Sequence, residues 1–450
     1  MSFPFFRRCF TLYLLFIFML VQNSAWSESR LTPSLGIEEI FLSNETSTLD
    51  ESGQITTISP GLLYEATGPR ANISLSYLLN ARQYNNLSQD DEVDQSLLFR
   101  SDFAHIPNHW DSYLTSTIKQ TNVNPDGIQT VNPVIQSDNT RELRTLGIGT
   151  SLQGKWTDNI NYESFLDADY ADFEDSESTD SIGVLLSLNN SNTLQDLDWR
   201  ASLDSRVYSE AGEDEQIDTA EVELNYRFNR KYSAFLTIDK SETGNEFLNE
   251  TNTIVGILWT PNRNDYLKLG VGERGGDATY LLDALIKSKR ITYTLNYDET
   301  VTTSRSLLID QANQQNFSPT SQNLSINPVL EKNGRIAINF TGRRTDISLT
   351  YFKQTTDQSA GNRDDEMTDG ININIKRTLS TSSSVQLTLS RQERETTQEN
   401  TVDDNSFSYV KALSKNANFS IELRKTEQTS DILENEYEQN ALTFRVNSTF

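Results

Sequence analysis

The densest group of potential metal ligands in this chain is an acidic run, Asp167, Asp169, Asp172, Glu174, Asp175, Glu177 and Asp180. Carboxylate oxygens are what a hard divalent cation takes as ligands. The run therefore has two readings: a loop that contacts calcium through Asp167, Asp169, Asp172, Glu174 and Asp175, or a solvated loop whose like charges repel. The glycine-centred spacing of an EF-hand is missing. His105 and His109 are the two histidines of the chain. Four residues apart they would share a helix face, but Ile106-Pro107-Asn108 between them reads as a turn, and no HExxH frame surrounds them. GVGERG, Gly270 to Gly275, satisfies the bare GxGxxG pattern. A dinucleotide site needs a strand before that pattern and a helix after it. Here strand patterns flank it on both sides, which makes it a glycine-rich hairpin turn. There is no GxSxG nucleophile elbow, and composition alone sets no two carboxylates at the separation that glycoside hydrolysis requires. The expectation is a non-enzymatic chain with no catalytic residue, no bound cofactor and no dedicated metal centre.

What recurs along the chain is alternation with a period of two. Ala71, Ile73, Leu75, Tyr77, Leu79 and Ala81 share one face, opposite Asn72, Ser74, Ser76, Leu78, Asn80 and Arg82. Ala220, Val222, Leu224, Tyr226 and Phe228 alternate with Glu221, Glu223, Asn225 and Arg227. Ile291, Tyr293, Leu295 and Tyr297 alternate with Thr292, Thr294, Asn296 and Asp298, and Ile371, Ile373 and Ile375 with Asn372, Asn374 and Lys376. Each such segment reads as a strand with one apolar and one polar face. Short turn signals, at Pro107-Asn108, Asn229-Arg230 and Pro261 to Asn264, alternate with longer polar stretches such as Asn122 to Asn139 and Asp357 to Asp369. That is the rhythm of short periplasmic turns and long external loops. The division predicts about 22 strands, within a range of roughly 18 to 24. Gly53 to Pro60, Gly275 to Lys287 and Asn313 to Glu331 are its weakest stretches, each open to a loop, a broken strand or a short plug-like insertion. Tyr64, Tyr77, Tyr84, Trp110, Trp156, Trp259, Tyr266, Tyr297, Tyr351 and Phe352 fall near strand ends or turns, as interfacial girdles or as packing beside hairpins.

The ends of the chain set its compartment. Arg7 and Arg8 precede the apolar run from Leu12 to Val21 and the small-residue flank Ala25-Trp26-Ser27. This is the order of a secretory signal peptide, residues 1–27, cleaved before Glu28. The apolar run is short for a spanning helix, which weighs against an uncleaved anchor. Cys9, the one cysteine, leaves with that segment, so thiolate chemistry, zinc–thiolate sites and disulfides leave with it. At the other end Leu442, Phe444 and Val446 alternate toward Phe450, as in a final barrel strand whose aromatic terminus is read by an outer-membrane assembly machine. Over all 450 residues, 38 Lys and Arg face 64 Asp and Glu, a formal charge of −26, which excludes a general nucleic-acid binder.

Amphipathic strands in this number must pair their edges, and in hydrocarbon a free edge leaves backbone groups costing several kcal/mol each. Closing the sheet satisfies them. The expected architecture is all-β: residues 28–450 as a single transmembrane antiparallel β-barrel in the outer membrane of a Gram-negative bacterium. Its apolar face meets lipid and lipopolysaccharide, and Glu221, Glu223, Arg227, Asp298 and Lys376 face the lumen as candidate selectivity residues. A water-soluble all-β adhesin, with the apolar face as a core, is the rival architecture.

The segment from Trp259 to Arg305, with Trp259, Pro261, Tyr266, Leu269, Gly272, Gly276, Tyr280, Tyr293 and Thr302-Thr303-Ser304, resembles the outer-membrane proteins associated with PEP-CTERM and exopolysaccharide systems. The resemblance extends loosely through most of residues 28–450, including Ile55 to Glu65. It implies an integral barrel accompanying exopolysaccharide production, export or surface assembly, with the polymer or its export proteins as partners. It carries no catalytic motif. The expected function is a barrel for exopolysaccharide export or passage of a hydrophilic solute. The alternative is a structural or adhesive surface protein that binds matrix or partners through acidic loops.

Overall fold

A computed structural model describes residues 28–46, 50–122, 140–174, 178–190, 196–244, 248–303, 305–306, 326–357, 366–396 and 398–450. They form twenty-two antiparallel strands, from β1 (Glu28–Thr46) to β22 (Tyr437–Thr449), each bonded to its neighbours in sequence. The sheet is closed by a β1–β22 ladder running from Ser34 opposite Thr449 to Thr46 opposite Tyr437. Closure gives every strand two partners over most of its length, which is what allows a sheet to stand in hydrocarbon without orphaned N–H and C=O groups. The expected barrel and its strand count are both present. The leader, residues 1–27, lies outside the described residues.

Register turns the sequence alternation into two surfaces. Leu224 on β10 (Glu213–Arg227), Leu236 on β11 (Tyr232–Glu242), Val255 on β12 (Thr251–Trp259), Val271 on β13 (Tyr266–Arg274) and Tyr280 on β14 (Asp277–Lys287) form one continuous row. Val255 and Val271 in that row are 57% and 59% exposed, so these side chains point out of the ring rather than into a core. Three residues along, on the opposite face, Glu221, Asp239, Asn252, Arg274 and Asp277 form a row of polar and charged groups. The water-soluble alternative fails here, because the apolar side chains it would seal inside stand on the outside. Val222→Arg places a charge within the apolar band and is expected to cost roughly 2–4 kcal/mol. Denaturant unfolding in lipid vesicles measures it, with Thr237→Arg on the inner face as the tolerated control.

The widest spacings between successive strands fall at one end of the barrel. Short turns at 107–109, 158–159, 228–231, 342–344 and 381–382 share the end where β1 begins and β22 stops, while the strand ends separated by the widest intervals, Asn122 from Thr140, Glu242 from Thr251, Thr303 from Pro328 and Asp357 from Glu366, share the other with the two-residue turns 211–212 and 275–276. Tyr232 pairs with Trp259 at the short-turn end, beside the edge-on Tyr226–Phe228 pair at 5.3 Å, so aromatics do gather at that rim. Three residues expected among them do not: Tyr84, Tyr266 and Phe352 lie on the inner phase of their strands. Of the weak stretches, Gly53 to Pro60 lies within β2 (Asp50–Thr67), and Gly275 to Lys287 is a two-residue turn followed by β14. Gly275 and Gly276 hold φ of +58° and +97°, a left-handed conformation that glycine adopts more readily than other residues, and a Cβ at Gly275 would also run into Glu250. Residues 313–325 fall outside the described part.

The wall is uneven. β12 and β13 have nine residues each, whereas β1 has nineteen. The ladder between β14 and β15 (Ile291–Thr303) stops at Leu282 opposite Tyr297. Beyond it, residues 277–281 bond only to β13, and 298–303 only to β16 (Pro328–Thr341). The wall is split at its long-loop end, where residues 298–303 stand free of β14.

Candidate functional site

Residues 301–303, 305–306 and 326 form an arm that meets the inner surface of β7 (Ile160–Phe173), β8 (Thr179–Asn190), β9 (Leu197–Glu210) and β10. Arg305, 2% exposed, donates through Nε to the Thr179 hydroxyl and through Nη2 to the Thr179 carbonyl at 3.1 Å and the Asp169 carbonyl at 3.4 Å. Its Cζ stands 6.0 Å from the Tyr208 ring centre, within the reach of a cation–π contact. Burial lowers the Arg305 pKa, and Asp169, Tyr208 and Asp180 act in the opposite direction. Thr303 is fully buried, and Ser306 N–H donates to its hydroxyl at 3.1 Å. Ile326, from the far end of the same connection, packs with Tyr208 and Ile217, and Val301 packs against that cluster. A polar latch and an apolar wedge thus hold the arm to the wall.

Beneath the arm lies a cavity of about 460 Å³. Arg206 crosses its floor, with Nη2 at 2.5 Å from Asp167 and Nη1 at 3.2 Å from Asp169. Gly147 and Gly183 make room for this triad, since a Cβ at either would meet an Asp169 or Asp167 oxygen, or the Arg206 guanidinium, below 3.0 Å. Tyr113 stacks on Phe165 at 5.9 Å beside it. Hydroxyls, carboxylates, a guanidinium and an aromatic face therefore converge on one recess.

The acidic run is only partly a loop, since Asp167, Asp169 and Asp172 lie on β7 and Asp180 on β8. Asp167 and Asp169 point inward from β7, and Asp172 sits on the opposite phase, with Arg144 Nη1 at 3.7 Å. Glu174 stands in the following turn, and Asp175 lies outside the described residues. No group of three or more metal-capable side chains occurs among the described residues. The overlooked signal was Leu166, Ala168 and Tyr170, whose alternation between the aspartates marks an outward strand face.

The five candidate lumen residues all occupy the inner phase, but they do not form one site. Glu221 and Glu223 are neighbours on β10, and Glu223 holds Lys268 Nζ at 3.2 Å, with that ammonium 4.5 Å from the Phe235 ring centre. Arg227 pairs with Asp198 at 2.8 Å toward the short-turn end. Asp298 belongs to the part of β15 released from β14, and Lys376 lies on β18 (Glu366–Ser380), opposite Asp346. Arg305 was missed because nothing in its neighbourhood signals a contact 126 residues away. The two decoys resolve locally: Gly270 and Gly272 lie inside β13, and His105 contacts Ser112 at 2.8 Å while His109 contacts the Gln153 carbonyl at 3.1 Å.

No protein-family model and no curated protein matches the chain. Among solved structures it is similar to several bacterial proteins. The siderophore receptor PirA from Acinetobacter baumannii matches at 9% identity, covering 93% of this chain and 80% of that one, with a TM-score of 0.47. The FrpB iron transporter from Neisseria meningitidis matches at 8% identity, with 93% and 82% coverage and a TM-score of 0.43. OccK5 (OpdH) from Pseudomonas aeruginosa matches at 9% identity, with 93% and 98% coverage and a TM-score of 0.36. The chain is an all-β closed barrel of twenty-two antiparallel strands.

Proposed function

We propose that the chain is an outer-membrane conduit for a hydrophilic solute, with a surface exopolysaccharide as its physiological cargo. The observation carrying this reading is the closed ring with apolar side chains outside and charged ones inside. The inner face supports passage of a hydrated substrate by exchanging hydrogen bonds with it, as water does. Its charge supports a restriction on the cargo: on β10 alone, Glu213, Glu215, Glu221 and Glu223 stand on the inner phase with Arg227. Such a surface disfavours a densely anionic polymer. The long loops face outward, lipid and lipopolysaccharide surround the apolar band, and Phe450, whose N–H donates to the Pro33 carbonyl at 2.9 Å, presents the terminus to the assembly machinery.

Purified full-length barrel, folded by the criterion of heat-modifiable gel mobility, is expected to give discrete conductance steps in planar bilayers. Folded barrel that inserts without conducting would overturn the conduit. Matrix binding that depends on the loops would then support the adhesive role.

A further inference from the structure

Arg305 is a cation held by a site. Its guanidinium is almost fully enclosed, three acceptors surround it, and a tyrosine face lies alongside. Backbone carbonyls and a threonine hydroxyl that receive N–H groups do not require the donor to belong to this chain. Arg305 also borders the cavity beside it, where Asp167, Asp169 and Asp204 stand with Arg206 and Arg100, and Arg100 is already paired with Asp102 at 3.0 Å. Apart from Arg305, the lining sets three carboxylates against Arg206, since Arg100 is held by Asp102, and is a net acceptor of positive charge.

We infer that the wall patch under the β15–β16 arm is a cation-binding subsite of the conduit, filled in this structure by Arg305, and that cargo bearing ammonium or guanidinium groups competes for it. Within the proposed conduit reading, on which this inference rests, the cargo is an amine-bearing saccharide or a small organic cation rather than a uronate polymer. Arg305 acts as a tethered competitor at millimolar effective concentration, so a free cation gains the site only by displacing it.

The test uses the full-length barrel, wild type and Arg305→Met, the latter keeping an apolar stem to pack on Tyr208 while removing the guanidinium. Calorimetry in detergent with methylguanidinium is expected to show binding to R305M at least about tenfold tighter than to wild type. Thr179→Val in the R305M background is expected to abolish it. In bilayers, glucosamine tetramer is expected to block R305M current at lower concentration than either its N-acetylated form or a galacturonate tetramer. Equal methylguanidinium affinity in wild type and R305M, or stronger block by galacturonate, would overturn the subsite. Calorimetric binding without conductance in either protein would leave the subsite standing and remove the conduit, whereas conductance without binding would do the reverse. If R305M does not fold, Arg305→Lys replaces it. A lysine forms fewer of the three contacts, so methylguanidinium should still bind R305K more tightly than wild type, and equal affinity there overturns the inference.

Discussion

Arg82→Met is expected to destabilise the barrel by about 3–5 kcal/mol, the usual consequence of stranding one partner of a buried ion pair. Arg82 and Asp94 contact one another on the inner face of β3 (Ala71–Asn85) and β4 (Glu92–Ile106), each with 4% of its side chain exposed. Asn80 adds a donor to Asp94 at 2.8 Å. Removing the guanidinium leaves a carboxylate with that single amide and little water, and the lost pairing exceeds what one neutral hydrogen bond returns. The double variant Arg82→Met/Asp94→Leu is expected to recover most of the loss, because an apolar pair of similar volume avoids the desolvation cost altogether. Equilibrium unfolding in lipid vesicles, followed by tryptophan fluorescence, separates the two. A double variant as unstable as the single would show that packing at this site matters more than charge.

The second large effect is on ion selectivity. Glu221 and Asp239 face each other across the β10–β11 ladder and Glu223 lies two residues along, all on the inner phase. Neutralising them as Glu221→Gln/Glu223→Gln/Asp239→Asn removes three negative charges and leaves Lys268 without its carboxylate and Arg274 without its 3.5 Å partner. Both cations then contribute unopposed to the lumen field. The cation-to-anion permeability ratio, read from the reversal potential under a potassium chloride gradient, is expected to fall on the order of threefold to tenfold at low salt. The difference should shrink near 1 M salt, where the screening length is about 3 Å. An unchanged ratio would place the ion path away from this wall.

Most of the strand content was legible because lipid on one side and water on the other impose a strict two-residue period, visible in Ala220 to Arg227 and in Ile371 to Lys376. Loop lengths also carried the division between the two ends. Closure was inferred from the cost of free edges, and the β1–β22 ladder bears it out. What could not be read depends on partners distant in sequence. The acidic run hid a strand because Asp167 and Asp169 obtain their counter-charge from Arg206 on another hairpin, and without that partner the same residues read as a repelling loop. The split between β14 and β15 has no local signature, since residues 298–303 have strand pattern whether or not β14 pairs with them. Arg305 sits in a polar connection that periodicity leaves blank, and its meaning comes entirely from Thr179 and Asp169.

Adjacent residues on one strand test the division of surfaces most directly. In a chain carrying Cys9→Ser, single cysteines at Glu223 and Leu224 differ only in which side of the wall they occupy. Reaction of membrane-inserted protein with a charged, water-soluble thiol reagent should modify the cysteine at 223 readily and spare the one at 224, while a lipid-soluble quencher should affect a probe at 224 alone. Equal modification of both, or the reverse pattern, would contradict a lipid-facing apolar surface enclosing a polar lumen.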